Sequence, residues 1–209
     1  MFTGIIQAVG RIERVERREP GMHLRVEAVA PVDAARLNVG DSVAVNGCCL
    51  TVTAVEGTRF EADLSGETLA RTANLDRCGP VNLELALALG DRIGGHLVSG
   101  HVDAVGTVVG LAPAGESREL IVRAPRSLAP CLAYKGSVAV DGVSLTINRV
   151  EDSELGCDIA INLIPHTLAV TTLGRLAAGE RVNLEVDPLA RYAERAVSLM
   201  TPAPGARST

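Results

Sequence analysis

The chain has 209 residues, enough for one large domain or two of roughly 100 residues each, and its 47% apolar content can bury a sizeable core at a net charge of −5. Its basic residues are scattered, the densest group (Arg11, Arg14, Arg17, Arg18) is interleaved with Glu13, Glu16 and Glu19, and its aromatics are only Phe2, Phe60, Tyr134 and Tyr192. A nucleic-acid binder would need a basic patch and stacking rings, so that class is excluded. No apolar run approaches the ~20 residues of a membrane span.

In chain order, Gly4 to Ile12 and Leu24 to Val29 read as strands around a turn at Pro20-Gly21. Met1–Ile6 lacks the basic start of a secretory signal, so a soluble cytoplasmic protein with no membrane contact is expected. Ala34 to Leu37 reads as a short helix. Val43–Val45 and Leu50–Val55 flank Asn46-Gly47, a hairpin signal. Phe60–Leu64 and Val81–Leu85 complete a first set of short strands, the composition of a closed barrel.

The pattern then starts again. Gly40–Val55 (GDSVAVNGCCLTVTAV) reappears as Lys135–Val150 (KGSVAVDGVSLTINRV), with eight of sixteen positions identical. Thr3–Gly10 parallels Ser99–Gly106, Leu64–Ala70 parallels Leu163–Ala169, and Val81–Glu84 parallels Val182–Glu185, all in the same order. The chain is a tandem duplication. Leu128 to Leu132 reads as a second short helix, and Asp141-Gly142 stands where the first copy has Asn46-Gly47. The all-β units divide the chain at 1–95 and 96–187. A C-terminal amphipathic helix follows over 188–200, opened by Asp187-Pro188, with a stripe of Leu189, Tyr192, Ala193, Ala196 and Leu199 or Met200. Its own barrel or another copy could cover that stripe, and the sequence leaves both open. Residues 201–209 read as a flexible tail.

A duplication supplies an internal control, because a polar group present in one copy alone is not needed for folding. Cys49 stands opposite Ser144, His101 opposite Ile5 and Asp187 opposite Ala86. Each also has a bland reading: Cys49 as an apolar filler, His101 as a satisfied polar residue, Asp187 as a helix cap. Five cysteines without C-x-x-C argue against a disulfide framework or a zinc site, and His96 and His101 fall on opposite faces of a strand. No metal and no cofactor motif is expected. Of twenty basic residues only Lys135 is a lysine, which fits either chance or chemistry that needs a compact, titratable ammonium arginine cannot supply.

Met1–Ile6, Val45–Thr53, Lys135–Ser137, Asp141–Thr146, Gly94–Val102 and Ile164–Leu168 together resemble the riboflavin synthase family, over residues 1 to about 200. The resemblance implies two six-stranded Greek-key barrels and a homotrimer driven by the C-terminal helix. It implies one 6,7-dimethyl-8-ribityllumazine per barrel, with the active site formed between subunits. One lumazine gives a four-carbon unit to the other, yielding riboflavin and 5-amino-6-(ribitylamino)uracil without a cofactor. The implied catalytic residues are His101, Cys49, Ser144 and Asp187.

Carried over with them as first-barrel candidates are Phe2, Gly4, Ile6, Ser42, Thr51 and Thr68, and as second-barrel candidates Lys135, Thr146, Ile164 and Thr167. Ile5, Leu50, Asp63, Leu64, Ser65, Gly66, Glu67, Gly100, Val102, Leu145, Asn162, Leu163, Pro165 and His166 complete the substrate contacts. Association with lumazine synthase is a further partner in view. A non-catalytic lumazine- or flavin-binding relative is the alternative function. The chain departs from the family between Thr72 and Asn82, which is ten steps long against twelve between Thr171 and Asn183.

Overall fold

The computed structural model describes residues 1–30, 32 and 34–200. Two closed antiparallel barrels of six strands each carry a helix at the C-terminal end. The first barrel holds β1 (Ala8–Arg18), β2 (Gly21–Glu27), β3 (Ser42–Val45), β4 (Cys48–Glu56), β5 (Arg59–Leu64) and β6 (Gly79–Leu85). The second holds β7 (Ala104–Ala114), β8 (Ser117–Ala124), β9 (Ser137–Val140), β10 (Val143–Ser153), β11 (Gly156–Leu163) and β12 (Arg181–Val186). The strand order β1-β2-β5-β4-β3-β6 recurs in the second barrel with every number raised by six, a Greek key written twice. Closure leaves no free sheet edge. Residues 201–209, read from the sequence as a tail, lie outside the described residues.

Alternation of side chains fills each barrel. On β5, Phe60, Ala62 and Leu64 are buried while Arg59, Glu61 and Asp63 face outward; on β11, Ile159, Ile161 and Leu163 are buried. Register shifts fall at matching places in the two copies: between Ile12 and Arg14 and between Val108 and Gly110, and again between Val52 and Ala54 and between Ile147 and Arg149. Bulges of this kind bend a strand and help a small barrel close.

Two short helices, α1 (Gly66–Arg71) and α2 (Pro165–Val170), follow β5 and β11. Neither is among the elements expected from the sequence, because six residues are too few to show a helical period. Local chemistry starts them: the Ser65 hydroxyl accepts from Thr68 N in α1, and Pro165 occupies the first turn of α2. The expected short helices before the hairpins are 3-10 turns, at Ala34–Arg36 and Arg126–Cys131. The C-terminal helix, α3 (Pro188–Met200), forms over its expected span.

The barrels meet across a pseudo-dyad built from repeated residues. The hairpin tips have the double positive φ of a type I′ turn, at Asn46 (46°) and Gly47 (78°) and at Asp141 (45°) and Gly142 (82°). The tips face each other so closely that a Cβ on Gly47 would lie 2.6 Å from Gly142 N. Asn82 Nδ2 donates to Asp141 O (2.9 Å), and Asn183 Nδ2 returns the bond to Asn46 O (3.0 Å).

A second exchange explains why β1 starts at Ala8 rather than at Gly4. Phe2 and Val98 pair as a two-residue ribbon through N–H···O bonds of 2.7 and 3.0 Å. Glu84 accepts from Thr3 N, Thr3 Oγ1 and Gly4 N, while Glu185 accepts from Ser99 N and Gly100 N. Burial raises both carboxyl pKa values and these donors oppose it. Held this way, each copy sends its leading segment onto the other barrel: Ile6 packs on the second core and Val102 on the first.

Candidate active site

The exchanged segments form walls of two related sites. In the first, β4 presents Cys49 beside Gly100 and His101, and Cys49 N donates to Gly100 O (2.8 Å). Only glycine fits at position 100, where φ is +80° and a Cβ would sit 2.5 Å from Cys49 Cβ. These residues, with Glu67, Thr68 and Arg71 of α1, line an open cavity of about 320 Å³. Both adjacent cysteines line the cavity, but Cys48 is buried, which pushes its thiol up to about 12 and leaves it inert, while Cys49 is half-buried.

The second site repeats this geometry with different chemistry. Ser144 N donates to Gly4 O (2.8 Å), and Gly4, at φ +74°, would clash with Ser144 if it carried a side chain. The Ser144 hydroxyl lies 2.7 Å from Nδ1 of His96. Burial lowers the pKa of this imidazole, and the Asp187 carboxylate pulls it the other way. His96 Nε2 is buried and has no partner among the described residues. Asp187 also accepts from Leu189 N (2.9 Å), the cap that α3 requires after Pro188. One carboxylate thus caps α3 and lies close enough to His96 to act on its charge.

His96 is the site residue that sequence reasoning missed. From the sequence it reads only as a metal-ligand candidate that lacks the companions of a site. Comparing the copies could not raise it either, because at the local offset of 96 its counterpart would precede Met1. The signal available was position: His96 lies within the same short segment as Gly100 and His101. Among the described residues no group of three His, Cys, Asp or Glu side chains is arranged to hold a metal ion.

The other candidates divide into those brought to a site and those turned elsewhere. Gly4 and Ile6, grouped with the first barrel in the sequence reading, sit against Ser144 and the second core. Ile5 is half-exposed beside Gly94 at the same place. Phe2 is fully buried, packed against Gly100, so its part is to hold that segment. Ser42 and Thr51 face each other across β3–β4, with Thr51 exposed. Thr146 holds the matching exposed place on β10, opposite Ser137.

Ile164, Pro165 and His166 are exposed at the start of α2, with Thr167 half-buried behind them. Leu145 is half-buried beside Ser144. Leu50, Leu64 and Leu163 point into the cores. Ser65 and Gly66 open α1, and Asn162 is exposed on β11. Asp63 turns away from the Cys49 cavity, its carboxylate 2.7 Å from His23 Nδ1. Lys135 is exposed at φ +64°, where the first copy has Gly40 at +98°, and its Nζ donates to Asn148 Oδ1 (2.9 Å).

The lumazine binding domain family matches this chain twice, at residues 3–86 and 99–187. The riboflavin synthase of Photobacterium phosphoreum is 45% identical over 197 residues, covering 93% of this chain and 88% of that protein. That of Brucella abortus (strain 2308) is 43% identical over 202 residues, covering 93% and 97%. Among solved structures, LumP complexed with 6,7-dimethyl-8-(1'-D-ribityl) lumazine superposes with a TM-score of 0.78 at 25% identity, over 89% of this chain and 99% of that one. LumP complexed with riboflavin superposes with the same TM-score at 27% identity and the same coverage.

Proposed function

The chain belongs to the riboflavin synthase family of tandem lumazine-binding domains, and from that premise we propose that it converts two molecules of 6,7-dimethyl-8-ribityllumazine into riboflavin and 5-amino-6-(ribitylamino)uracil. The observation that carries the chemistry is the contrast between two equivalent sites: Cys49 with His101 in one, Ser144 with His96 and Asp187 in the other. A dismutation needs two like molecules held alike and treated differently.

The C7 methyl of lumazine is acidic because its carbanion delocalises into the ring. On this reading the second barrel holds the lumazine that loses this proton. A neutral His96 draws on the Ser144 hydroxyl, and its free Nε2 faces the work of carrying the proton onward. The first barrel holds the acceptor, with Cys49 and His101 assisting nucleophilic activation at its C7. Attack of the carbanion and two eliminations then move four carbons from one ring to the other. Holding both reactants supplies much of the rate. The overall reaction is a group transfer balanced between two copies of one substrate, with no external oxidant or reductant.

The rest of the reading concerns assembly and location. No α3 residue is buried, and Leu189, Tyr192, Leu199 and Met200 are exposed by 69–81%. Its own barrel therefore leaves the stripe open, and a homotrimer that covers it, bringing unlike barrels of neighbouring subunits together, completes the active site in this proposal. No helix among the described residues is long and apolar enough to cross a membrane, and we place the enzyme in the cytoplasm.

Incubating purified protein with the lumazine and following riboflavin by absorbance tests the proposal. Turnover that falls at least about 100-fold in His101→Ala, a loss typical of a missing proton-transfer group, is expected. Tight binding without turnover in the parent protein would instead leave a binding protein, the reading that the superposition on LumP keeps in view.

A further inference from the structure

The departure between Thr72 and Asn82 has a structural result away from the lumazine sites. The second copy fills the longer stretch with a 3-10 turn, Thr172–Arg175, and a turn at Gly179 (φ 89°). The first copy runs directly to β6 through Asn74 (φ 67°). A crevice of about 200 Å³ opens at the pseudo-dyad between the two stretches, and it shares no lining residue with the Cys49 cavity. It adjoins a second cavity of about 570 Å³, with Arg77 and Arg181 lining both and with Met22, Leu69 and Leu75 giving the second an apolar wall.

Three arginines from three segments line the crevice: Arg77, Arg175 and Arg181. Among the described residues, eight arginines elsewhere meet carboxylates, as in Arg25–Glu61, Arg59–Glu13, Arg123–Asp158 and Arg191–Asp103. Here none does: Arg77 donates to the Asn74 side chain, and Arg175 and Arg181 have no acceptor among the described residues. Neutral donors accompany them. Asn46 is only 4% exposed and spends its Oδ1 on Asn82 N, which leaves its Nδ2 without a partner among the described residues. The Thr172 hydroxyl is buried and also lacks a partner among the described residues.

Two carboxyl groups oppose this set. Glu180 holds Ala177 N (2.9 Å), and the buried Asp141, pushed up to about 7 by desolvation, holds Asn183 N (2.8 Å). Guanidinium forks without carboxylate partners, beside a desolvated hydroxyl donor, are an arrangement that recognises tetrahedral oxyanions.

We propose that this crevice is a binding site for a phosphate group, free or carried by a small organic molecule whose apolar part lies along the adjoining cavity. The test titrates inorganic phosphate, and separately phenyl phosphate, into the full chain by calorimetry in chloride buffer at fixed ionic strength. One anion per chain is expected. Affinity should fall at least tenfold in Arg77→Gln/Arg181→Gln and stay unchanged in Arg126→Gln, an exposed arginine outside the crevice. Thr172→Val, which removes one donor and no charge, should weaken binding too and serves if the double variant does not fold. Tighter binding of phenyl phosphate identifies an organic phosphate, and equal binding identifies the phosphate group alone. Absence of saturable binding to the parent chain, or an equal loss in Arg126→Gln, would overturn the proposal.

Discussion

A single residue conformation separates the functional from the structural demand at Lys135. A non-glycine residue in the left-handed region costs about 1–2 kcal/mol, and the first copy avoids that cost with Gly40. The strain persists where Lys135 Nζ reaches Asn148, and in the proposed function it is the ammonium that this conformation serves. Lys135→Gly should therefore leave stability unchanged or raise it by up to about 1 kcal/mol, while lumazine affinity falls; thermal melts and a fluorescence titration report the two separately. His96 makes a sharper case. Its pKa lies below 6.5 because burial disfavours the imidazolium, so as a base it stays competent until the pH falls below that value. The acid limb of the kcat profile should lie below pH 6.5. Asp187→Asn removes the carboxylate that pulls this pKa up, and should move the limb further down.

At the scale of elements, what was legible and what was not follow from physical causes. The Asn46-Gly47 and Asp141-Gly142 hairpins could be read because a type I′ turn demands particular residues. The amphipathic α3 could be read because thirteen residues show a period. The helices α1 and α2 could not, being six residues long and started by one residue each, the Ser65 cap and Pro165. Nor could the exchange of leading segments, in which Gly4 meets Ser144 and Gly100 meets Cys49. No local preference encodes which barrel a segment lies on, so candidates were assigned to the wrong partner although the residues themselves were in view. His96 fell out for a related reason, since the internal comparison has no sister position for it. The open stripe of α3 yields its own test. Leu189→Glu/Tyr192→Glu puts charge on two side chains exposed by 72% and 75%, and should yield monomers by sedimentation while both barrels stay folded by circular dichroism.

For the whole molecule the pseudo-dyad is the unit of stability. Phe2, fully buried in the ribbon that ties the halves, should cost about 3–5 kcal/mol when truncated to alanine, measured by denaturant unfolding. Asp141 makes the same interface sensitive to pH. Its folded-state pKa of about 7 stands above the ordinary 3.8, so the folded chain holds this proton more tightly than the unfolded chain. That contribution is complete below about pH 4 and is lost as the pH rises to about 7. Asp141→Asn, which installs the residue found at Asn46 in the sister copy, should remove this loss. Relative to the parent it should gain up to about 4 kcal/mol between about pH 4 and about pH 8.

In the proposed function, unequal side chains on two equal folds turn a binding scaffold into an enzyme. Cys49→Ser/His101→Ile tests it by giving the first site the residues that stand opposite in the duplication, Ser144 and Ile5. Lumazine binding and riboflavin yield are then measured side by side with the parent. The account predicts one riboflavin per two lumazines from the parent, and a variant that still binds lumazine but forms riboflavin at least about 100-fold more slowly. Undiminished turnover in the variant would contradict it.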